Sequence, residues 1–447
     1  MSFGFNQRMF VSAGIIAVFL ALFPGYVGAQ RLRVSVEGAE FRPFPVAVPP
    51  VYWSGKKGGE VEQRLVRELT AVQQTCVDLA RPLELVPPAS YLRQTEGAAG
   101  APKYADWLNV GASGLLLSSV DLKETLLLIH FRFYDTVSRK LMLSKSYSVS
   151  KKEGTKAVHR FLDEVIRLLT GKPGIFSSRI AYVRKTSGGK AVFISDMDGG
   201  NEIRVTDAKN LSLLPAWSPD GNNLLFTSFM KSNADLYRLN LKTKKFDWLS
   251  HKRGLNTGAS VSRNGKKIAL TLSVDGNTEI YVMNVDGSSL TRLTDDWGQD
   301  ISPSWSFDGT QLTFVSSRSG QPHIYVMNSD GSKPRRITFK GNYNQEPDWS
   351  PLPGGKIVFT ARDELLKYDL FTVDPKNTEI GRLTQDQGNN ESPSYSPDGS
   401  QIVFTSTRPP KYGKKLYLMN ADGSNQKRIS VKPGNYETPA WGPIAGY

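Results

Sequence analysis

Residues 302–317 read SPSWSFDGTQLTFVSS, a Trp, an Asp-Gly pair and an alternation of apolar and hydroxyl side chains. Four other stretches follow the same plan: LPAWSPDGNNLLFTSF (214–229), EPDWSPLPGGKIVFTA (346–361), SPSYSPDGSQIVFTST (392–407) and a terminal TPAWGP (438–443). The position of Trp305 is filled in turn by Trp217, Val261, Trp305, Trp349, Tyr395 and Trp441, at spacings of 44, 44, 44, 46 and 46 residues. A second ring series, Phe193, Tyr237, Tyr281, Tyr325, Phe371 and Tyr417, repeats those spacings inside runs such as EIYVMNVDGS, and TRLT, RRIT, GRLT or KRIS closes each unit. A period of roughly 40–50 residues is the mark of a solenoid or a propeller.

Within a unit the apolar positions alternate at period two, as in Leu312 and Phe314 or Ile402 and Phe404. Each unit therefore reads as four short antiparallel strands, a propeller blade, with strand A at PSWS, B at LTFVS, C at IYVMN and D at RRIT. Six C strands are present, but near Pro173 there is only GKPGIF where the first A strand belongs. The missing strand stands at the far end, around Trp441, which predicts a six-bladed ring closed by the C-terminal strand and so without open sheet edges.

The repeated acids could be metal ligands. Their pairing as Asp308-Gly309, Asp398-Gly399, Asp286-Gly287 and Asp330-Gly331 favours turns instead, because Asp hydrogen-bonds its own turn and Gly takes positive φ without strain. The further oxygen ligands of a calcium loop are missing. The Trp and Tyr series fits packing between blades. The third unit is degenerate, with Val261 for the ring and SRNG for SPDG. The D–A loops, HKRGLNTG, DDWGQDIS, KGNYNQE, QDQGNNES and KPGNYE, are long, polar and studded with aromatics, which places recognition on the face opposite the Asp-Gly turns.

The chain has 447 residues, a formal charge of +14 and one cysteine, Cys76. Its length predicts more than one domain, and a disulfide framework is impossible. Residues 1–29 read as a cleaved secretory signal, with Arg8, an apolar run and Val27-Gly28-Ala29. No later run is apolar enough to span a membrane, and no nucleic-acid motif accompanies the basic charge. Residues 30–170 read as an α/β domain. Strands fall at RLRVSVEG, FPVAVPPV, ASGLLLSSVDL, TLLLIHFRFYD and KLMLSKSYSVS in a largely antiparallel sheet. A first helix carries Val61, Leu65, Leu69, Val72 and Cys76 on one face, and a second runs from about Lys152 to Leu169. Residues 171–177 form a linker and 178–447 the propeller.

The four histidines point to no reaction. His130 and His159 fall on polar faces without metal-ligand spacing to a second His or Cys, His323 in a B–C loop and His251 at a blade end. No nucleophile elbow, P-loop or dinucleotide fingerprint occurs. No catalytic, cofactor-binding or metal-binding residues are assigned, and no cofactor is expected.

The PxWSPDGxxIxFTS and IYVMNxDGS units, joined to this front domain and a signal peptide, resemble the TolB family, periplasmic components of the Tol-Pal envelope system. The resemblance implies a non-enzymatic, monomeric adaptor that supports envelope integrity and outer-membrane constriction during division. It implies that one propeller face binds the peptidoglycan-associated lipoprotein Pal and that the mature N-terminus binds TolA. The corresponding residues here are Leu255, Asn256 and Thr257, Asp300, Ile301 and Ser302, and Asn344, Gln345 and Glu346 for Pal. For TolA they are Gln30, Arg31, Leu32, Arg33, Val34, Ser35, Val36, Glu37 and Gly38. Leu255 and Ser302 depart from the familiar pattern, which has His and Glu there. The competing reading is a periplasmic propeller that binds or hydrolyses a small ligand.

Overall fold

A computed structural model describes residues 42–55, 59–92, 102–341, 343–362, 366–409 and 413–444. The signal segment, the strand expected at RLRVSVEG and the segment from Gln30 to Gly38 lie outside the described residues.

Among the described residues the front region forms a six-stranded sheet: β1 (Phe44–Ala47), β2 (Tyr52–Trp53), β3 (Leu83–Leu85), β4 (Gly114–Lys123), β5 (Leu126–Asp135) and β6 (Lys140–Ser150). The order is β3-β1-β4-β5-β6, with β2 beside β4. The pairs β4–β5 and β5–β6 are antiparallel as expected, but β1 runs parallel to both β3 and β4, and β2 to β4. The sheet is mixed because helix α1 (Glu60–Leu79) follows β2 and returns the chain for a parallel pairing. On α1, Leu69 and Cys76 are buried while Val61, at its first turn, is exposed. A short α2 (Tyr104–Asn109) packs Trp107 edge-on to Tyr91.

Helix α3 (Gly154–Thr170) ends at Gly171, whose φ of 77° only glycine adopts without strain. Its apolar side packs on the sheet, Phe161 stacking on Phe131 at 4.8 Å. Its polar side is buried too. His159 and Asp163 are almost fully enclosed, against the expectation of an exposed His159, because α3 lies between the sheet and the propeller and has no solvent face there.

The propeller has six four-stranded antiparallel sheets among the described residues. Blade one pairs Tyr436–Ile444 with Ser178–Thr186, Gly189–Asp196 and Ile203–Arg204, so the last strand is the inner strand of the first blade. The other inner strands are Ser212–Trp217, Asn256–Val261, Asp300–Trp305, Asn344–Trp349 and Asn390–Tyr395, in blades two to six. Each ring of the Trp305 series packs on the preceding blade: Trp305 joins Ala269, Ile280 and Val282, and its indole N–H donates to the Ser260 carbonyl at 3.1 Å. The Asp-Gly pairs are turns: Asp308 accepts from the Ser306 hydroxyl at 2.7 Å and from the Thr310 amide at 3.1 Å, and Gly309 has φ of 69°. In the degenerate third blade Asn264 takes over, accepting from Ser262 and Lys266 at 2.8 and 3.0 Å.

Every inner strand that carries a proline begins three residues before it. The third residue of each of the six inner strands, Leu214, Gly258, Ser302, Glu346, Ser392 or Thr438, has φ between 44° and 61°, and the ladder slips by a bulge there. Proline follows in five blades (Pro215, Pro303, Pro347, Pro393, Pro439), which the bulge tolerates because its residues make no ladder bond.

Candidate partner-binding face and channel

In a four-stranded antiparallel blade the A–B and C–D turns lie at one mouth of the ring and the B–C and D–A loops at the other. The front domain takes the first mouth. Gln401 Nε2 donates to the Leu79 carbonyl at 2.6 Å, Lys427 Nζ to the Asp78 carbonyl at 3.0 Å, and Asn201 Nδ2 to Thr155 Oγ1 at 2.7 Å. His159 Nε2 stands 3.2 Å from Asp198 Oδ2 in the C–D turn of blade one, with the Cys76 thiol 3.9 Å from the same oxygen. Burial pulls His159 down, and the bonded Asp198 carboxylate more than reverses this, so its pKa is raised.

The D–A and B–C loops are left at the opposite mouth, and large apolar side chains stand out from them: Trp297 is 75% exposed, Val431 74% and Phe339 63%, with Leu255 and Leu366 also exposed. Isolated apolar side chains are ordinary on a surface, but several on one rim mark a contact surface. Of the sequence-derived residues, Leu255 belongs to this rim. Asn256, Asp300 and Asn344 do not: each opens an inner strand and is 1% exposed or less. Asn256 accepts from the Ser250 hydroxyl and the Lys252 amide, so it shapes the loop from beneath. Asp300 is gripped by Arg318 at 2.6 Å, and burial raises its pKa. Asn344 lies beside His323, itself 4% exposed as the first residue of strand C rather than a surface loop residue. The reason is the bulge: it lets the strand start before its proline, so residues expected in the loop are strand residues.

Thr257, Ile301 and Gln345 are half-buried second residues of the inner strands, and Ser302 and Glu346 are the bulged third residues. Ser302 and Glu346 line a central channel of about 520 Å³, together with Asp348 and Ser392. Glu346 accepts from the Ser392 amide and hydroxyl of the next blade at 2.8 and 2.9 Å and from Thr360 at 2.9 Å. Asp348 accepts from the Tyr395 amide at 2.8 Å, and burial pushes its carboxyl up to about 6. These carboxylates are fastened across blade seams, the position of structural groups rather than of an acid–base pair facing substrate. Sequence reasoning passed over Trp297 and Phe339. The signal was there, since each is an aromatic in a D–A loop, outside the two ring series of the repeat.

The TolB beta propeller domain matches residues 166–445, and the TolB amino-terminal domain matches residues 32–142. The chain belongs to the TolB family. Among its relatives, the Tol-Pal system protein TolB of Desulfosudis oleivorans is 33% identical over 249 residues, 55% of this chain and 56% of that protein. That of Anaeromyxobacter dehalogenans is 36% identical over 241 residues, 54% of each. The chain thus spans about half the length of the curated relatives it matches. TolB from Acinetobacter baumannii has a crystal structure similar to this one at a TM-score of 0.75 and 25% identity, covering 90% of this chain and 97% of that one. The likeness to that TolB takes in the front domain as well as the six blades. No helix of the described residues is long and apolar enough to cross a membrane.

Proposed function

We propose that this TolB-family chain is a non-enzymatic periplasmic adaptor of the Tol-Pal system, exported by residues 1–29 and mature from Gln30. Its D–A face binds the lipoprotein Pal, and its N-terminal segment from Gln30 to Gly38 binds TolA, supporting envelope integrity and constriction during division. The observation that carries this reading is the division of labour between the two mouths. The front domain occupies the Asp-Gly mouth, while the loop mouth keeps Trp297, Phe339 and Val431 exposed around a channel. Within the sequence-derived set the contact falls on Leu255, Thr257, Ile301, Ser302, Gln345 and Glu346. Asn256, Asp300 and Asn344 act indirectly, by holding the loops.

The test is titration of purified mature protein with a soluble Pal-like domain. Replacing Trp297 and Phe339 together with Ala should weaken binding by at least tenfold and leave the circular dichroism spectrum intact. Unchanged affinity overturns the Pal assignment. Deleting residues 30–38 should abolish TolA capture and spare Pal binding, and retained TolA capture overturns the second half.

A further inference from the structure

The junction between the front domain and blade one holds a group of side chains that the adaptor reading does not use. Cys76 comes from α1, His159 from α3 and Asp198 from the C–D turn of blade one. One ligand atom of each lies within 4.8 Å of the other two. Cys76 and His159 are buried, and the Asp198 side chain is 7% exposed.

The repeat supplies its own control. In blades three, four and six the same turn carries Asp286, Asp330 and Asp422, each bonded to a serine two residues on (Ser288, Ser332, Ser424). Blade one has Gly200 in place of that serine. Asp198 keeps the amide bond of that turn, from Gly200 to Oδ1 at 2.9 Å, without a serine hydroxyl beside it, and its Oδ2 faces His159 and Cys76.

We propose that Cys76, His159 and Asp198 form a binding site for one zinc-class divalent cation that ties the front domain to the propeller. Thiolate, imidazole and carboxylate together suit zinc rather than calcium or magnesium, which take oxygen ligands. Tetrahedral zinc bonds of about 2.3 Å to sulfur and about 2.0 Å to nitrogen or oxygen put S···O near 3.5 Å and N···O near 3.3 Å. The observed 3.9 Å and 3.2 Å are within half an ångström of those spacings. On the far side of the ring, Asp196 Oδ2 stands 3.8 Å from Nδ1, an electrostatic contact longer than the hydrogen bond by which carboxylates orient metal-bound histidines. Three protein ligands leave the fourth position for water.

Mature full-length protein, stripped with chelator and titrated with Co²⁺ and then Zn²⁺, tests the site. One Co²⁺ per chain with a sulfur-to-cobalt charge-transfer band, displaced by Zn²⁺, is expected. Cys76→Ser should lose the band, and Asp198→Asn should weaken Zn²⁺ binding at least tenfold. Zn²⁺ should raise the unfolding midpoint of the wild type only. Absence of the band in the wild type overturns the proposal, and so does Zn²⁺ binding that is unchanged in both variants. The wild-type spectrum decides alone should either variant fail to fold.

Discussion

Replacing His323 with Asp tests the chemistry that holds the loop mouth together. In blade five Asp369, the second residue of strand C (Tyr368–Val373), stands at the repeat position of His323 and accepts from Arg382 at 2.5 Å, Thr384 at 2.6 Å and Asn390 at 2.9 Å. Blade four presents the same three partner types to His323: Arg336 at 2.8 Å, Thr338 at 3.4 Å and Asn344 at 2.9 Å. A neutral imidazole has one acceptor nitrogen. It satisfies Arg336 and cannot also accept from the Asn344 amide, whereas a carboxylate accepts from both. Burial and the Arg336 guanidinium push His323 down to about 4. The unfolded chain protonates near 6.5, so this contribution is complete above that pH and is lost as pH falls through 6.5 toward 4. Between pH 7.5 and 5 the linkage amounts to about 2 kcal/mol, or about 1–2 after solvent screening at the blade rim. His323→Asp should remove that loss and add about 1–2 kcal/mol at pH 7.5 from charge-assisted bonds. Urea unfolding followed by Trp fluorescence and far-ultraviolet circular dichroism, at both pH values, measures the double difference and cancels all shared titrations. Equal losses in the two proteins between pH 7.5 and 5 would refute the reasoning.

Trp305→Ala empties the seam between blades three and four and should cost about 3–5 kcal/mol in the same unfolding assay; a cost below about 1 kcal/mol would mean the ring is not a seam anchor. Asp308→Ala removes the bonds from Ser306 and Thr310 and should cost about 1 kcal/mol, with binding at the loop mouth unchanged in a calorimetric titration. Ending the chain after Ser430 removes the inner strand of blade one with Tyr436 and Trp441. The unfolding midpoint should fall by more than about 10 °C, and an unaltered melting curve would contradict closure by the C-terminal strand.

The ring was legible because six repeats at nearly one period leave few alternatives, and because the missing first strand and the surplus last one are the same strand. Of the front sheet, β1, β4, β5 and β6 were legible, but the short β2 and β3 were not, having two and three residues to carry an alternation; the pairing was not legible either, since periodicity says which face is buried and nothing about direction. His159 defeated a one-sided reading of helix amphipathicity. Its helix has two buried faces, and a polar face turned to a second domain looks like one turned to water. The run from Asp300 to Ser302 defeated a proline rule. Pro303 is compatible with the strand because the residue before it, Ser302, is bulged at φ of 55°. Cys76, His159 and Asp198 could not be joined from sequence, because their contact depends on how the front domain docks.

Among the described residues, these docking bonds fall on two neighbouring blades. Gln401 and Lys427 of blade six hold the end of α1, and Asp198 and Asn201 of blade one hold α3. The same two blades flank the seam where the C-terminal strand closes the propeller. A ring is weakest where its ends meet, since those contacts are the longest in sequence and carry the largest loop-closure cost. A front domain bonded to both sides of that seam adds contacts that opening it would have to break. The loop mouth needs no such brace, because each of its inner strands is anchored within its own blade or to a neighbour by buried polar pairs such as Asp300–Arg318 and Asn390–Asp369. The apolar loop tips are therefore free of a structural task in the fold, which is what leaves them available to a partner.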